Sequence, residues 1–277
     1  MNKIVAKKKI SKDIVQLTFE NKELAEVRKP GQFLILRVHD KGERIPLTIM
    51  GSDADKGTVD IIFQVVGKTT TLLSELNVGD KILDVAGPLG NPTLIENFGR
   101  CVVIGGGVGT AVLFPVLKAL KEAGNAVIAI IGARDKDALI LTQEVEALTD
   151  ELIITTDDGS AGKKGLVTDA LKEVISRGEK IDYVYAVGPV IMMKFVALTT
   201  KEHKIKTEVS LNPIMIDGTG MCGGCRVMIS GKEKFACVHG PDFDAHEVNF
   251  DLLMQRLKMF KGKENKSMEC HCKNKEN

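Results

Sequence analysis

A change of rhythm near Gly99 constrains this 277-residue chain more than any other feature. From Cys101 onward an apolar run, a glycine turn and an amphipathic stretch recur: CVVIGGGVG before residues 110–123, AVIAIIGAR before 139–148, ELIITTDDGS before 166–176, and DYVYAVGP before 190–200. Apolar strands alternating with helices of period 3.6 demand a parallel sheet covered on both faces, because a strand that is apolar throughout has no side to show to water. Before Gly99 the pattern is different. Residues 14–19, 33–38, 44–50, 59–66 and 81–86 alternate at period two, separated by turn signals such as Lys29-Pro30-Gly31 and Val78-Gly79-Asp80, with one helical stretch at 70–76. Short, evenly spaced strands predict a small antiparallel barrel. The expected fold is a β-barrel over residues 1–97, an α/β nucleotide-binding domain over 98–205, a small Gly- and Cys-rich domain over 206–260, and a polar, unstructured tail over 261–277.

Charge removes two classes of partner. The 38 Lys and Arg balance 37 Asp and Glu, so no net field exists to hold a nucleic-acid backbone or an anionic membrane surface. No segment approaches the roughly 18 continuous apolar residues of a membrane span, and MNKIVAKKKISKD lacks the apolar centre of a signal peptide. The expected compartment is the cytoplasm. Five of the six cysteines fall between 222 and 272, which favours metal ligation over an evenly stapled disulfide framework.

Three groups of residues carry candidate chemistry. Gly105-Gly106-Gly107-Val108-Gly109 follows an apolar strand and opens a helix, where backbone without Cβ atoms and unpaired N–H groups can accept a pyrophosphate. The spacing departs from strict GxGxxG, and a turn that merely reverses the chain is the alternative. Thr155, Asp157, Asp158 and Gly188-Pro189 also lie at C-terminal strand ends, where ligands of open α/β sheets collect. Negative charge at Asp157 and Asp158 would repel a 2′-phosphate on a nucleotide bound there, although Arg134 could counter it.

In the barrel, Arg44-Ile45-Pro46-Leu47-Thr48 ends a strand, and Gly67-Lys68-Thr69-Thr70 begins the helix. An arginine, a helix N-terminus and hydroxyls could clamp a diphosphate, with Pro46 and Leu47 as a wall for a flat ring. By themselves these residues read more readily as an ordinary surface strand. The third group is the most specific: Asp217-Gly-Thr-Gly-Met-Cys222-Gly-Gly-Cys225, then Cys237. It reproduces the C-x4-C-x2-C…C spacing of a plant-type [2Fe-2S] loop, with Asp217 in the first position. A structural zinc site using Asp217 or His239 is the alternative. Cys101 reads as a small buried hydrophobe, and Cys270-His271-Cys272 as an adventitious cluster in the tail.

Pro30-Gly31-Gln32-Phe33, the Arg44–Thr48 run, Gly87-Pro88-Leu89-Gly90 and Gly188-Pro189 with Met192 resemble, in order, the landmarks of the ferredoxin–NADP reductase superfamily, in which a flavin-binding barrel precedes a pyridine-nucleotide domain. The resemblance implies that Arg44, Gly67, Thr69 and Thr70 hold the FAD pyrophosphate. It also implies that Pro46, Leu47, Thr48, Phe63, Gln64 and Val65 border the ribityl chain and isoalloxazine, and that Gly87 and Pro88 lie near the ring. The order barrel, nucleotide domain, cluster loop is similar to the electron-transfer subunits of class 1B dihydroorotate dehydrogenases, which carry Cys where Asp217 stands. With Asp217 and Phe235-Ala236-Cys237-Val238-His239-Gly240-Pro241-Asp242-Phe243, the chain resembles the small subunits of NADH-dependent ferredoxin:NADP oxidoreductases, also described as sulfide dehydrogenases. That family implies an NAD(H)-dependent oxidoreductase subunit with FAD and a [2Fe-2S] cluster. It would work in flavin-based electron bifurcation beside a larger FAD and [4Fe-4S] subunit that binds NADP(H) and ferredoxin. No protein acid or base is required of such a chain. A reductase component of an oxygenase and a metal-stabilised NAD-binding redox sensor are the rival readings.

Overall fold

The computed structural model describes residues 2–273. The N-terminal part is a barrel of two antiparallel sheets. One joins strands Ile4–Lys9, Ile14–Glu20, Thr58–Gln64 and Gly51–Asp53, and the other joins Arg44–Thr48, Phe33–Arg37 and Asp84–Leu89. Alternation sends Leu17, Phe19, Leu34, Leu36, Val59, Ile61 and Phe63 into one core between the sheets. Three elements escaped the sequence pattern, the shortest being the strand Gly51–Asp53. The strand Ile4–Lys9 shows one buried residue and five exposed ones, so it carries no period-two signal; its lysines suit an unpaired edge. The helix Lys22–Val27 is a short turn capped by the Asn21 side chain, which accepts from the Leu24 N–H at 3.1 Å.

A seven-stranded sheet forms the second part, in the order Lys163–Lys164, Glu151–Thr156, Ala126–Ala133, Arg100–Gly106, Tyr183–Val187, Lys206–Ser210 and Asp242–Asp244. All pairings are parallel except the last, which is antiparallel. Both faces are covered, as continuous apolar strands require. Cys101 and Val103 point into the core under helix Gly109–Glu122, whereas Val102 and Ile104 point into the core shared with helices Val167–Ser176 and Val190–Glu202. That second core continues into the cysteine-bearing segment through Cys225, Val227, Cys237, Phe250 and Leu253. The cysteine-rich part therefore completes the nucleotide sheet with its own strand and shares its core. Cys101 is buried with no exposure, as its sequence context suggested, and burial pushes its thiol up to about 12.

The tail differs from expectation. Lys261–Lys273 is a helix beside helix Lys68–Glu75 of the barrel, where the polar composition had suggested no structure. Its few apolar residues leave too weak a periodic stripe to be read from sequence. The side chains of Cys270, His271 and Cys272 lie outside the described residues. Among the described residues no helix is long and apolar enough to cross a membrane.

Candidate functional site

Three adjoining places match the three groups of residues read from the sequence. The first is a cavity of about 430 Å³ at the C-terminal ends of the sheet strands, closed on its far side by Ile14 and Gln64 of the barrel. Gly106, Gly107, Thr155, Asp157 and Pro189 line it. Gly107 has φ +56°, and its N–H donates to the Gly132 carbonyl at 2.8 Å, which holds the glycine turn over the neighbouring strand. Behind it, a Cβ on Gly109 would stand 2.7 Å from the Val187 carbonyl oxygen, so only glycine lets helix Gly109–Glu122 start so close to the next strand.

Not every residue flagged from sequence reaches this cavity. Asp157 borders it, while the Asp158 side chain turns into its own loop and accepts from the Ser160 N–H at 2.9 Å. Bonding to Ser160 lowers the Asp158 pKa, as expected for a carboxylate tied to a turn. Gly105 and Gly188 are buried behind the lining and shape it without bordering it. Arg134 also borders it, together with Thr168, Ile191 and Phe195, of which the last three carried no signal in the sequence. They come from helix starts and faces that only the tertiary arrangement directs inward.

The second place is a cleft of about 120 Å³ between the barrel and the cysteine-bearing part. Pro46, Leu47 and Thr48 form one wall, beside Phe33 with which Thr48 is paired. Ser210, Leu211, Asn212, Pro213 and Met215 form the other, and the sequence reading missed all of them. Arg44 is exposed at the first position of its strand. Gly87 lies exposed in the strand paired with Phe33–Arg37, where a Cβ would meet Leu34 Cβ at 3.2 Å; Pro88 follows it and is half-buried.

Two of the barrel expectations need correction. Phe63 does not face the cleft: it is 2 % exposed, because alternation along Thr58–Gln64 turns Val59, Ile61 and Phe63 into the barrel core and leaves Gln64 outside, on the nucleotide cavity. Val65 is half-buried just beyond that strand. The hydroxyls of Thr69 and Thr70 are already engaged. Thr69 donates to Glu43 at 2.9 Å; Thr70 accepts from the Gly67 and Val66 N–H groups at 3.0 Å each and donates to the Gly67 carbonyl. Thr70 is thus the cap of helix Lys68–Glu75, and what that helix offers an anion is its first-turn N–H groups and dipole rather than hydroxyls.

The third place is the loop 217–225 with Cys237. Gly218, Gly220 and Gly223 have φ of +77°, +85° and +65°, values that let the loop fold back on itself. The Cys225 and Cys237 sulfurs stand 3.1 Å apart and both residues are buried. Burial, followed by the neighbouring Cys225, pushes the Cys237 thiol up to about 12. Cys222 is exposed, its sulfur accepting from the Gly224 N–H at 3.4 Å. Asp217 closes the loop: it accepts from the Cys222 N–H at 2.6 Å and from the Thr219 hydroxyl at 2.9 Å. Bonding to Cys222 first, then Thr219, holds its carboxyl well below the usual carboxylate range. Among the described residues, three or more donor side chains do not already converge on one point. His239 is engaged elsewhere, its Nδ1 accepting from the Phe235 N–H at 3.0 Å.

The donor chemistry fits an iron–sulfur cluster. Two adjoining thiols could share one iron, and Cys222 with Asp217, adjacent on a glycine-jointed loop, are left for a second.

Comparison with known proteins decides the family. The dihydroorotate dehydrogenase B electron transfer subunit homolog of Thermotoga maritima is 50% identical over 97% of this chain and 95% of its own length. The chain belongs to the family of dihydroorotate dehydrogenase B electron transfer subunits. The corresponding subunit of Streptococcus pneumoniae is 34% identical over 87% of the chain. Family profiles match residues 2–93 as an oxidoreductase FAD-binding domain, 103–198 as an oxidoreductase NAD-binding domain, and 212–249 as the iron–sulfur cluster binding domain of dihydroorotate dehydrogenase B. The chain is therefore an electron-transfer oxidoreductase subunit with FAD, NAD(H) and a [2Fe-2S] cluster as cofactors, and the zinc alternative falls. Among solved structures, one described as the NADH-dependent reduced ferredoxin-NADP oxidoreductase, reported for flavin-based electron bifurcation, superposes with TM-score 0.93 at 49% identity, covering 98% of both chains. Phthalate dioxygenase reductase, at 16% identity and TM-score 0.62, shares the fold.

Proposed function

We propose that this chain is the NAD(H)-side electron-transfer subunit of a flavin-based electron-bifurcating ferredoxin:NADP oxidoreductase. The observation that carries the reading is the end-to-end match to the bifurcating oxidoreductase structure at 49% identity, level with the 50% of the Thermotoga maritima electron transfer subunit homolog and above the 33–36% of dihydroorotate dehydrogenase subunits from several other organisms. Asp217 in the cluster loop favours the same branch.

In this reading the chain's residues bind and orient, and the chemistry belongs to the cofactors: FAD exchanges two-electron for one-electron transfer, and the cluster passes single electrons. Arg44 and the N-terminus of helix Lys68–Glu75 would hold the FAD diphosphate, and Pro46, Leu47 and Thr48 would offer the ring a wall. Gly106, Gly107 and the start of helix Gly109–Glu122 would receive the NAD pyrophosphate, in a cavity that Asp157 borders and that Ile14 and Gln64 of the barrel close. Asp217, Cys222, Cys225 and Cys237 hold the cluster. Residues 1–97, 98–205 and 206–260 act as the corresponding FAD, NAD and cluster modules. Met221, 86% exposed, with Ile216 and Val238 forms an apolar rim on the cluster loop, suited to a larger FAD and [4Fe-4S] subunit that binds NADP(H) and ferredoxin.

Anaerobic isolation of the chain from its native host tests this. The expected result is a stoichiometric larger subunit containing FAD and [4Fe-4S] clusters, in a complex that reduces ferredoxin and NAD⁺ together from NADPH. Isolation with a dihydroorotate-oxidising subunit instead would assign the chain to the dihydroorotate dehydrogenase branch and reject bifurcation.

A further inference from the structure

One buried polar knot lies outside the cofactor contacts proposed above. Asp242, in the strand that completes the nucleotide sheet, turns its carboxyl inward to three hydroxyl residues from different parts of the chain. Thr93, just beyond the barrel, donates to it at 2.5 Å, and Tyr185, in the middle of the nucleotide sheet, donates at 3.2 Å. Ser210, at the end of Lys206–Ser210, also bonds to it. Asp242 is half-buried as a residue, but its partners are not: Thr93 is 5%, Tyr185 0% and Ser210 5% exposed. Burial raises the Asp242 pKa to about 6, against the opposing effect of bonds from Thr93 and Ser210.

Such a carboxyl is a costly way to join three parts, since well-packed apolar residues usually stabilise a buried junction as well or better. What it provides is fixed direction, and its surroundings show what is directed. A Cβ on Gly31 would fall 2.0 Å from the Thr93 hydroxyl, so the Pro30-Gly31 turn is closed directly over the knot. Gly31, Ser210 and Pro241 are themselves walls of the flavin cleft. Nearby, the Leu211 N–H donates to the Pro241 carbonyl at 2.9 Å and the Asn91 N–H to the Gly240 carbonyl at 2.6 Å. Cys237 lies five residues before Asp242 on the same short piece of chain.

We propose that the Thr93–Asp242–Tyr185–Ser210 knot positions the Cys237-bearing segment against the flavin cleft and so sets the flavin-to-cluster spacing for electron transfer. Asp242 and Thr93 are positioning residues and touch neither cofactor. The step they serve moves one electron from reduced flavin to oxidised cluster, with NADH as the reductant and no bond made or broken between the two. The inference rests on the flavin and cluster sites proposed above.

The test is anaerobic stopped-flow of the full-length chain loaded with FAD and iron, mixed with NADH. Flavin bleaching and cluster reduction are followed separately for wild type, Thr93→Val, Thr93→Ser and Asp242→Asn. Wild type in which NADH bleaches the flavin but never reduces the cluster would fail the underlying site assignment before any variant is compared. With wild type competent, Thr93→Val should slow cluster reduction severalfold, since electron transfer through space falls off exponentially with the separation of the two centres. Its flavin bleaching should stay within about twofold of wild type. Thr93→Ser, which keeps the hydroxyl, should behave as wild type, and Asp242→Asn should resemble Thr93→Val. Thr93→Val is close to isosteric, so it carries the test if Asp242→Asn fails to fold. Unchanged cluster reduction in Thr93→Val, or equal slowing of both steps, would overturn the proposal.

Discussion

Asp217→Ala is expected to lose most of its iron while retaining FAD. By the C-x4-C-x2-C…C spacing Asp217 stands where the first cluster ligand belongs, and the structure adds a second role, since its carboxylate caps the loop through Cys222 and Thr219. Alanine removes both roles, so a second variant must separate them. Asp217→Asn preserves an acceptor for the loop bonds but not the anionic donor; it should keep the loop's fold and still lose iron. Asp217→Cys should keep a [2Fe-2S] cluster at a potential lower by on the order of 100 mV, because a thiolate donates more electron density to iron than a carboxylate. Iron per chain and EPR-monitored redox titration read all three. Full iron in Asp217→Asn with an unshifted potential would make Asp217 a turn residue alone.

Arg44→Ala is expected to weaken FAD binding about 10- to 150-fold, the equivalent of roughly 1.5–3 kcal/mol for charge-assisted hydrogen bonds to a diphosphate. Because the hydroxyls of Thr69 and Thr70 are committed to Glu43 and to the helix cap, Arg44 supplies more of the clamp than the sequence alone suggested. Arg44→Lys keeps the charge without the fork and should fall between wild type and alanine. The measurement is FAD retained after desalting, with iron counted in the same sample. FAD retained at full occupancy would place the flavin diphosphate elsewhere, and joint loss of FAD and iron would make Arg44 a structural residue.

What the sequence made legible was local. Glycines after an apolar strand, period-two runs with turn punctuation, and cysteines at fixed spacing each carry their meaning in a few neighbouring residues, and the barrel, the parallel sheet and the cluster loop were readable from them. What it hid was set by partners distant in the chain. Ser210–Pro213 form a wall of the cleft opposite Pro46–Thr48, at the end of a strand that pairs with the distant Asp242–Asp244. Phe63 was misplaced because strand parity, not proximity to Val65, decides which side of the barrel it enters. Thr70 fits a phosphate clamp in sequence but satisfies the helix start in structure, two uses of one residue type at one position. Asp158, next to Asp157, faces the other way because its carboxylate caps the turn at Ser160.

The central claim is that NAD(H), flavin and cluster exchange electrons along one path in this chain. Anaerobic titration of the isolated, FAD- and iron-loaded chain with NADH and with NADPH, read by flavin absorption and cluster EPR, tests it most directly. The expected result is reduction of both centres by NADH, with NADPH slower by at least about tenfold because the Asp157 carboxylate lines the nucleotide cavity and, unless Arg134 in the same lining offsets it, repels a 2′-phosphate. A flavin reduced by NADH beside a cluster that only dithionite reduces, or a tenfold preference for NADPH, would contradict it.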